Sequence, residues 1–274
     1  MFTLHFKSKQ LDISTPVVMG IVNTTPDSFY NESRKQCIDE ALTLTAKMLS
    51  EGATFIDIGG QSTRPNSEAI TVDEELKRVI PIIEAITVKF PEANISIDTY
   101  NACVAKKAIE AGAMMVNDIS GGTIDTNMFE TVAKLNVPYI CMHIKGTPQT
   151  MQQQTNYINV VEEVKDFFSD KIKQAEQVGI KQMVLDIGFG FAKTTEQNFE
   201  LIKNLKQFQL LQKPLLLGVS RKRSIYKTLG ITAQEALNGT TILNTISVLQ
   251  GANILRVHDV KEAMEVIKLA AYFT

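Results

Sequence analysis

The 274 residues are 44% hydrophobic and 21% charged, proportions that supply a sizeable apolar core and argue against long disordered stretches. A formal charge of −2 and a pI near 6.0 give no global basic field for nucleic acid, so any anion binding has to be local. The three cysteines, Cys37, Cys103 and Cys141, lie far apart without CxxC spacing, which argues against a disulfide framework or a zinc site; reduced thiols are expected.

Residues 2 to 13 alternate polar and apolar side chains and read as a hairpin turning at Lys7 to Lys9. No stretch reaches about 18 consecutive apolar residues and the start does not resemble a signal peptide, so a cytoplasmic protein without a membrane partner is expected. A unit then recurs eight times: a short apolar or β-branched run ending in polar residues, followed by a segment of helical period. The runs are VVMGIV (17 to 22), TFIDIG (54 to 59), ISID (95 to 98), MMVND (114 to 118), PYICMH (138 to 143), QMVLDIG (182 to 188), PLLLGVS (214 to 220) and NILRVHD (253 to 259). Each has the length of a parallel strand buried on both faces. Between them, segments such as CIDEALTLTAKMLSEG and NACVAKKAIEAG repeat apolar residues at i, i+3 and i+4 and stop at glycine. Strict alternation implies a parallel α/β fold, and eight repeats favour a (β/α)₈ TIM barrel over an open doubly wound sheet. A single domain is expected, with an N-terminal hairpin over 1 to 15 at the barrel floor and the barrel over 16 to 274.

In such a barrel the carboxyl ends of the strands build the active site. Here those ends carry Asn23; Asp57, with Thr63, Arg64 and Pro65 in the following loop; Asp98 and Thr99; Asn117 and Asp118; His143; Asp186; Ser220, Arg221 and Lys222; and Arg256 and His258. Taken singly, Asp98, Thr99 or Asp118 equally suits a helix cap. Taken together, Asp98, Asn117 and Asp186 offer acceptors for a small polar heterocycle, while Arg64, Lys222, Arg256 and His258 offer donors for phosphate or carboxylate. His143 reads as a buried, hydrogen-bonded histidine without chemistry of its own. No GxxxxGK[ST], HExxH or nucleophile elbow occurs, and GFGF at 188 to 191 is not a dinucleotide fingerprint. The chemistry left is leaving-group stabilisation and positioning of a partner.

Eight collinear blocks carry a resemblance: MGIVNTTPDSF (19 to 29), FIDIGGQSTRP (55 to 65), ISIDT (95 to 99), VNDISGG (116 to 122), MHIKGTPQTMQ (142 to 152), LDIGFGFAKT (185 to 194), LLGVSRKR (216 to 223) and LRVHDV (255 to 260). In this order they resemble the signature segments of the dihydropteroate synthase family. The resemblance implies condensation of 6-hydroxymethyl-7,8-dihydropterin diphosphate with 4-aminobenzoate, giving 7,8-dihydropteroate and diphosphate in folate biosynthesis, in a homodimer that is a sulfonamide target. It implies Mg²⁺ as cofactor with Asn23 as its protein ligand, although an Asx-turn before Pro26 is the other reading of Asn23. Asp98, Asn117, Asp186, Lys222 and Arg256 would hold the pterin. Asn23, Thr63, Arg64, Arg256 and His258 would hold the diphosphate. Phe29, Pro65, Phe191, Ser220 and Lys222 would receive 4-aminobenzoate. Arg64, Lys222, Arg256 and His258 are the catalytic set in this reading.

Pterin-binding methyltransferases share the barrel and its three pterin acceptors, but not the STRP (62 to 65) and SRK (220 to 222) segments. That branch, or a catalytically silent paralogue, is the alternative. This chain also departs from the family pattern at Gln61, where Glu is usual, at Ile187, where Pro is usual, and at YNESRK after the first loop, where a glycine pair is usual.

Overall fold

A computed structural model describes residues 2–6, 9–24, 34–62 and 69–273 of the chain. The N-terminal hairpin pairs β1 (Thr3–His5) with β2 (Gln10–Asp12), Leu4 opposite Leu11. Phe6 N–H donates to the Lys9 carbonyl at 2.8 Å across the expected turn, of which Lys7 and Ser8 lie outside the described residues.

The barrel then alternates strand and helix. Its first half comprises β3 (Val17–Asn23), α1 (Arg34–Ser50), β4 (Phe55–Gly59), α2 (Val72–Lys89), β5 (Asn94–Asp98), α3 (Ala102–Ala111), β6 (Met115–Asp118) and α4 (Met128–Leu135). The second half comprises β7 (Tyr139–Met142), α5 (Val160–Val178), β8 (Met183–Asp186), α6 (Thr195–Lys203), β9 (Leu215–Leu217), α7 (Arg223–Leu229), α8 (Leu237–Leu249), β10 (Ile254–Val257) and α9 (Val260–Ala270). Strands β3 to β10 pair in parallel and in sequence order, and β10 closes on β3 with Arg256 beside Met19. The eight expected strands are therefore the eight barrel strands, trimmed at one or both ends in six cases, while β3 runs on to Asn23 and β5 starts at Asn94, each one residue longer than expected.

The helices start where side chains satisfy their first amide groups. Thr71 Oγ1 accepts from Glu74 N at 3.2 Å ahead of α2, whose first turn holds Asp73, Glu74 and Glu75. Thr194 and Gln197 form a reciprocal capping box at α6, and the Asn159 side chain accepts from Val161 and Glu162 at α5. One face of each is apolar; on α2, Val79, Ile82, Ile83 and Ile86 repeat at i, i+3, i+4 and i+7 and pack on the barrel.

Strand residues alternate between that outer core and the barrel lumen. Val18, Ile56, Val116, Leu185, Leu217 and Leu255 lie beneath the helices. Their neighbours Met19, Phe55, Met115, Ile140, Val184, Leu216 and Ile254 form a separate inner cluster, closed from below by Leu4 and Ile13 with Phe2, Phe6 and Leu11 packed against it. The hairpin is thus the barrel floor. Gln182 pins it there, accepting from His5 N at 2.6 Å and donating to the His5 carbonyl at 2.8 Å.

Candidate active site

Two residues further along four of these strands the same inner face reaches the upper rim, and its chemistry changes. Phe55 is followed by Asp57, Met115 by Asn117, Val184 by Asp186 and Ile254 by Arg256; on β5 the rim residue is Asp98. Period two places all five in one layer. Arg256 organises it. Its Nε donates to Asp57 Oδ2 and its Nη2 to Asp98 Oδ2, both at 2.6 Å, with 18% of the arginine side chain exposed and that of Asp57 fully buried. Asn117 Nδ2 donates to the same Asp57 oxygen at 2.9 Å. With its amide nitrogen committed, Asn117 offers its carbonyl oxygen to a ligand.

Across the layer, Asp186 Oδ1 accepts from Gly188 N at 2.8 Å. Lys222, at the start of α7, donates to the Phe189 carbonyl at 2.5 Å and stands 4.6 Å from the centre of the Phe191 ring. Burial raises the Asp186 carboxyl, opposed by Lys222, the Gly188 N–H, Arg256 and Lys193. Burial lowers the Lys222 ammonium to about 8, opposed by Asp186 and assisted by Arg256. Asp98 is raised by burial and by neighbouring carboxylates, against the pull of Arg256. Arg256 keeps its charge because Asp57 and Asp98 outweigh its own desolvation. The rim is therefore a polar, charge-matched layer of acceptors and cations above an apolar floor.

The other expected residues divide. Ser220 and His258 meet at the rim, Oγ to Nδ1 at 2.9 Å, and Ser220 is buried while His258 is exposed. Phe191 is buried against Met142, Ile144 and Met151. Asn23 ends β3 with its side chain exposed. Phe29, Thr63, Arg64 and Pro65 lie outside the described residues. Asp118 serves the β6–α4 turn, accepting from Ser120 N at 2.7 Å, Gly122 N at 2.9 Å and the Tyr139 hydroxyl at 2.7 Å. Thr99 Oγ1 accepts from Asn101 N at 3.1 Å ahead of α3. Arg221 turns away from the rim onto both oxygens of Asp259, at 2.8 and 2.9 Å. His143 is buried and 2.9 Å from Lys193 Nζ, as its reading as a hydrogen-bonded histidine expects. The cysteines are free thiols.

Two rim residues carried no role in the sequence reading. Asp57 was visible as a strand end, and its position two residues beyond Phe55 is the signal that it joins the same layer. Lys193 sits inside the LDIGFGFAKT block, but nothing in its spacing reveals that its amine folds back under the loop.

With the ligands that the described residues offer, a metal would take most of its coordination from the substrate and water. Among the described residues no group of three or more His, Cys, Asp or Glu could cage an ion. The amide oxygen of exposed Asn23 fits a hard cation that keeps water and phosphate oxygens as its other ligands.

The profile of the pterin binding enzyme family matches residues 19–258. Dihydropteroate synthase of Haemophilus influenzae is 40% identical over 97% of this chain and 97% of its own length. Among solved structures, Yersinia pestis dihydropteroate synthase in a sulfonamide drug complex superposes with a TM-score of 0.93 at 37% identity over 99% of each chain. Xanthomonas albilineans dihydropteroate synthase with 4-aminobenzoic acid superposes with a TM-score of 0.92 at 35% identity, over 99% of this chain and 97% of that one. Family profile, sequence identity and backbone superposition agree along nearly the whole length, and the chain belongs to the dihydropteroate synthase family of pterin-binding enzymes.

Proposed function

We propose that this chain joins 6-hydroxymethyl-7,8-dihydropterin diphosphate to 4-aminobenzoate, forming 7,8-dihydropteroate and releasing diphosphate. The observation that carries the reading is the rim layer, where Asp98, Asn117 and Asp186 offer acceptors beside the cations Lys222 and Arg256. A pterin presents amino and ring N–H donors along one edge, which those acceptors complement, and a carbonyl oxygen and ring nitrogen that suit Lys222. The diphosphate lies toward Arg256 and His258, with Asn23, Thr63 and Arg64 completing its cradle. Phe191 and Ser220, with Lys222, Phe29 and Pro65, form the aminobenzoate slot; the Xanthomonas relative with 4-aminobenzoic acid supports such a slot in this barrel.

In this mechanism the bond between the pterin methylene carbon and the diphosphate oxygen breaks first, leaving a cation delocalised over the ring. The aromatic amine, uncharged near neutral pH, then forms the C–N bond, and its surplus proton passes to an oxygen of the departed diphosphate. The residues accordingly stabilise departing negative charge and exclude water; no strong base is needed. Arg64, Lys222, Arg256 and His258 are the catalytic set. Mg²⁺, with Asn23 as its protein ligand, would supply further neutralisation of the diphosphate when bound. Sulfonamides, as aminobenzoate mimics, compete for the same slot.

The protein acts as a cytoplasmic homodimer in this reading. Leu229 at the end of α7 and Ile242, Ile246 and Leu249 on one face of α8 are exposed, an apolar strip that suits burial against a second copy. No described helix is long and apolar enough to cross a membrane. Release of diphosphate requiring both substrates tests the activity directly, and its absence with both present would refute it. Sedimentation of a monomer at micromolar concentration would refute the dimer.

A further inference from the structure

One buried cation is not used by the chemistry above. Lys193 is 7% exposed and directs its amine back beneath the loop that precedes it. Its Nζ lies 2.9 Å from the Phe191 carbonyl oxygen, 3.1 Å from that of Gly188 and 3.4 Å from that of His143, and 2.9 Å from His143 Nδ1. Burial, with Lys193 and Lys145 adding to it, keeps His143 neutral, so its Nδ1 can accept. Three ammonium protons thus serve four acceptors drawn from two strand ends.

The loop needs that donor because of how it is folded. Gly188, Gly190 and Ala192 adopt φ of 66°, 86° and 50°, which turns successive carbonyls inward. A Cβ at position 188 would stand 2.0 Å from the His143 carbonyl oxygen, so the loop reaches β7 only through glycine. Inward-facing carbonyls without donors are strongly disfavoured in a buried setting.

The same loop carries the pocket. Asp186 is held by Gly188 N–H, Lys222 by the Phe189 carbonyl, and the Phe191 ring lies against Lys222. Lys193 also acts through charge. Together with Lys222 and Arg256 it draws Asp186 toward its ionised form against burial, while burial lowers the Lys193 ammonium itself to about 7, opposed by Asp186 and assisted by Lys222 and Lys145. Cys141 on β7 belongs to the outer core and feels Asp186 through charge; burial pushes its thiol up, keeping it neutral.

We propose that Lys193 is a positioning residue of the pterin site: its ammonium ties the 186–192 loop to the end of β7 and thereby sets where Asp186, Lys222 and Phe191 meet the substrate. The role in catalysis rests on the functional reading above; the tie itself does not.

Lys193→Met separates the two. Amide exchange across residues 186–192 should accelerate by about tenfold or more in the variant, whatever the substrate. KM for pterin diphosphate should rise about tenfold, with kcat reduced less, and the acid limb of kcat/KM for that substrate should move to higher pH because a cation facing Asp186 is gone. Exchange and KM within about twofold of wild type, with an unmoved acid limb, would overturn the proposal. If Lys193→Met does not fold, Lys193→Gln, with two N–H donors and no charge, should keep part of the loop's protection yet still shift the acid limb; failure of both to fold makes Lys193 a folding residue and also overturns it. A wild-type protein that does not turn over pterin diphosphate contradicts the functional reading instead, and the exchange comparison then decides the tie alone.

Discussion

The inner face of the barrel holds two layers only two residues apart along the strands, and they obey opposite rules. The lower, formed by Met19, Phe55, Met115, Ile140, Val184, Leu216 and Ile254 and closed by the hairpin, is apolar and sealed. The upper, with Asp57, Asp98, Asn117, Asp186 and Arg256, gathers charge where burial penalises it. A strand can supply both because each inward position is set by the pleat, not by its neighbours' polarity. The lower layer keeps the barrel closed and the rim fixed; the upper holds strained electrostatics that the lower must support. Damage below should therefore cost stability without changing chemistry, and damage above should change chemistry first.

The largest expected effect comes from removing the hub of the upper layer. Arg256→Met would leave Asp57 and Asp98 buried without their cation, costing about 3–5 kcal/mol of stability. The pocket would also lose its phosphate donor, so turnover at saturating substrate should fall by about 10³-fold or more in protein that remains folded. Urea unfolding and turnover measured on the same preparation give both values. Activity within about tenfold of wild type would show that the rim layer does not carry the chemistry.

The matching change below is Phe55→Ala, which removes a fully buried ring packed 6.3 Å from Phe6 of the hairpin. Stability should drop by about 3–5 kcal/mol, while kcat of the folded fraction stays within about twofold. A large fall in kcat with unchanged unfolding would reverse the assignment of the two layers.

This two-layer arrangement explains what the sequence could and could not reveal. Strand ends were legible because alternating apolar runs and polar termini repeat eight times, and Asp98, Asn117, Asp186, Lys222 and Arg256 all come to the rim. Which strand-end residues face the pocket was less legible. Asp118 and Arg221 lie in the same blocks yet turn to Tyr139 and Asp259: Asp118 because adjacent strand residues point to opposite faces, Arg221 because the chain beyond β9 takes a left-handed φ of 53° there. Asp57 escaped a role because its partner Arg256 is 199 residues away. Lys193 escaped because its partners are mainly backbone carbonyls, which leave no trace in residue identity.

A milder change sharpens the reading of the upper layer. Asp186→Asn can still accept from Gly188 N through its amide oxygen, so the loop keeps its cap, but the second atom becomes a donor. Opposed to a pterin N–H, it should weaken binding of pterin diphosphate by about 2–4 kcal/mol. Titration calorimetry checks this, and binding within about threefold of wild type would show that Asp186 caps the loop without touching the ligand.

The smallest expected effect is a pH dependence in which binding and stability move oppositely. Burial raises the carboxyls of Asp98 and Asp186 above their ordinary value of 3.8. A protonated carboxyl loses an acceptor, so pterin affinity should decline as pH falls through those raised values, by about tenfold per pH unit per carboxylate at the steepest. The folded state, however, takes up these protons at a higher pH than the unfolded chain does. Over the interval from the raised values down to 3.8 it binds more protons, and these two groups therefore contribute stability that grows as pH falls. Asp186→Asn should remove its share of both slopes, and Phe55→Ala should remove neither. Affinity and unfolding free energy measured between pH 4 and 8 provide the comparison. If Phe55→Ala alters the acid limb of binding as much as Asp186→Asn does, the two layers are coupled through the strands, and the rim's electrostatics cannot be treated apart from the floor that holds it.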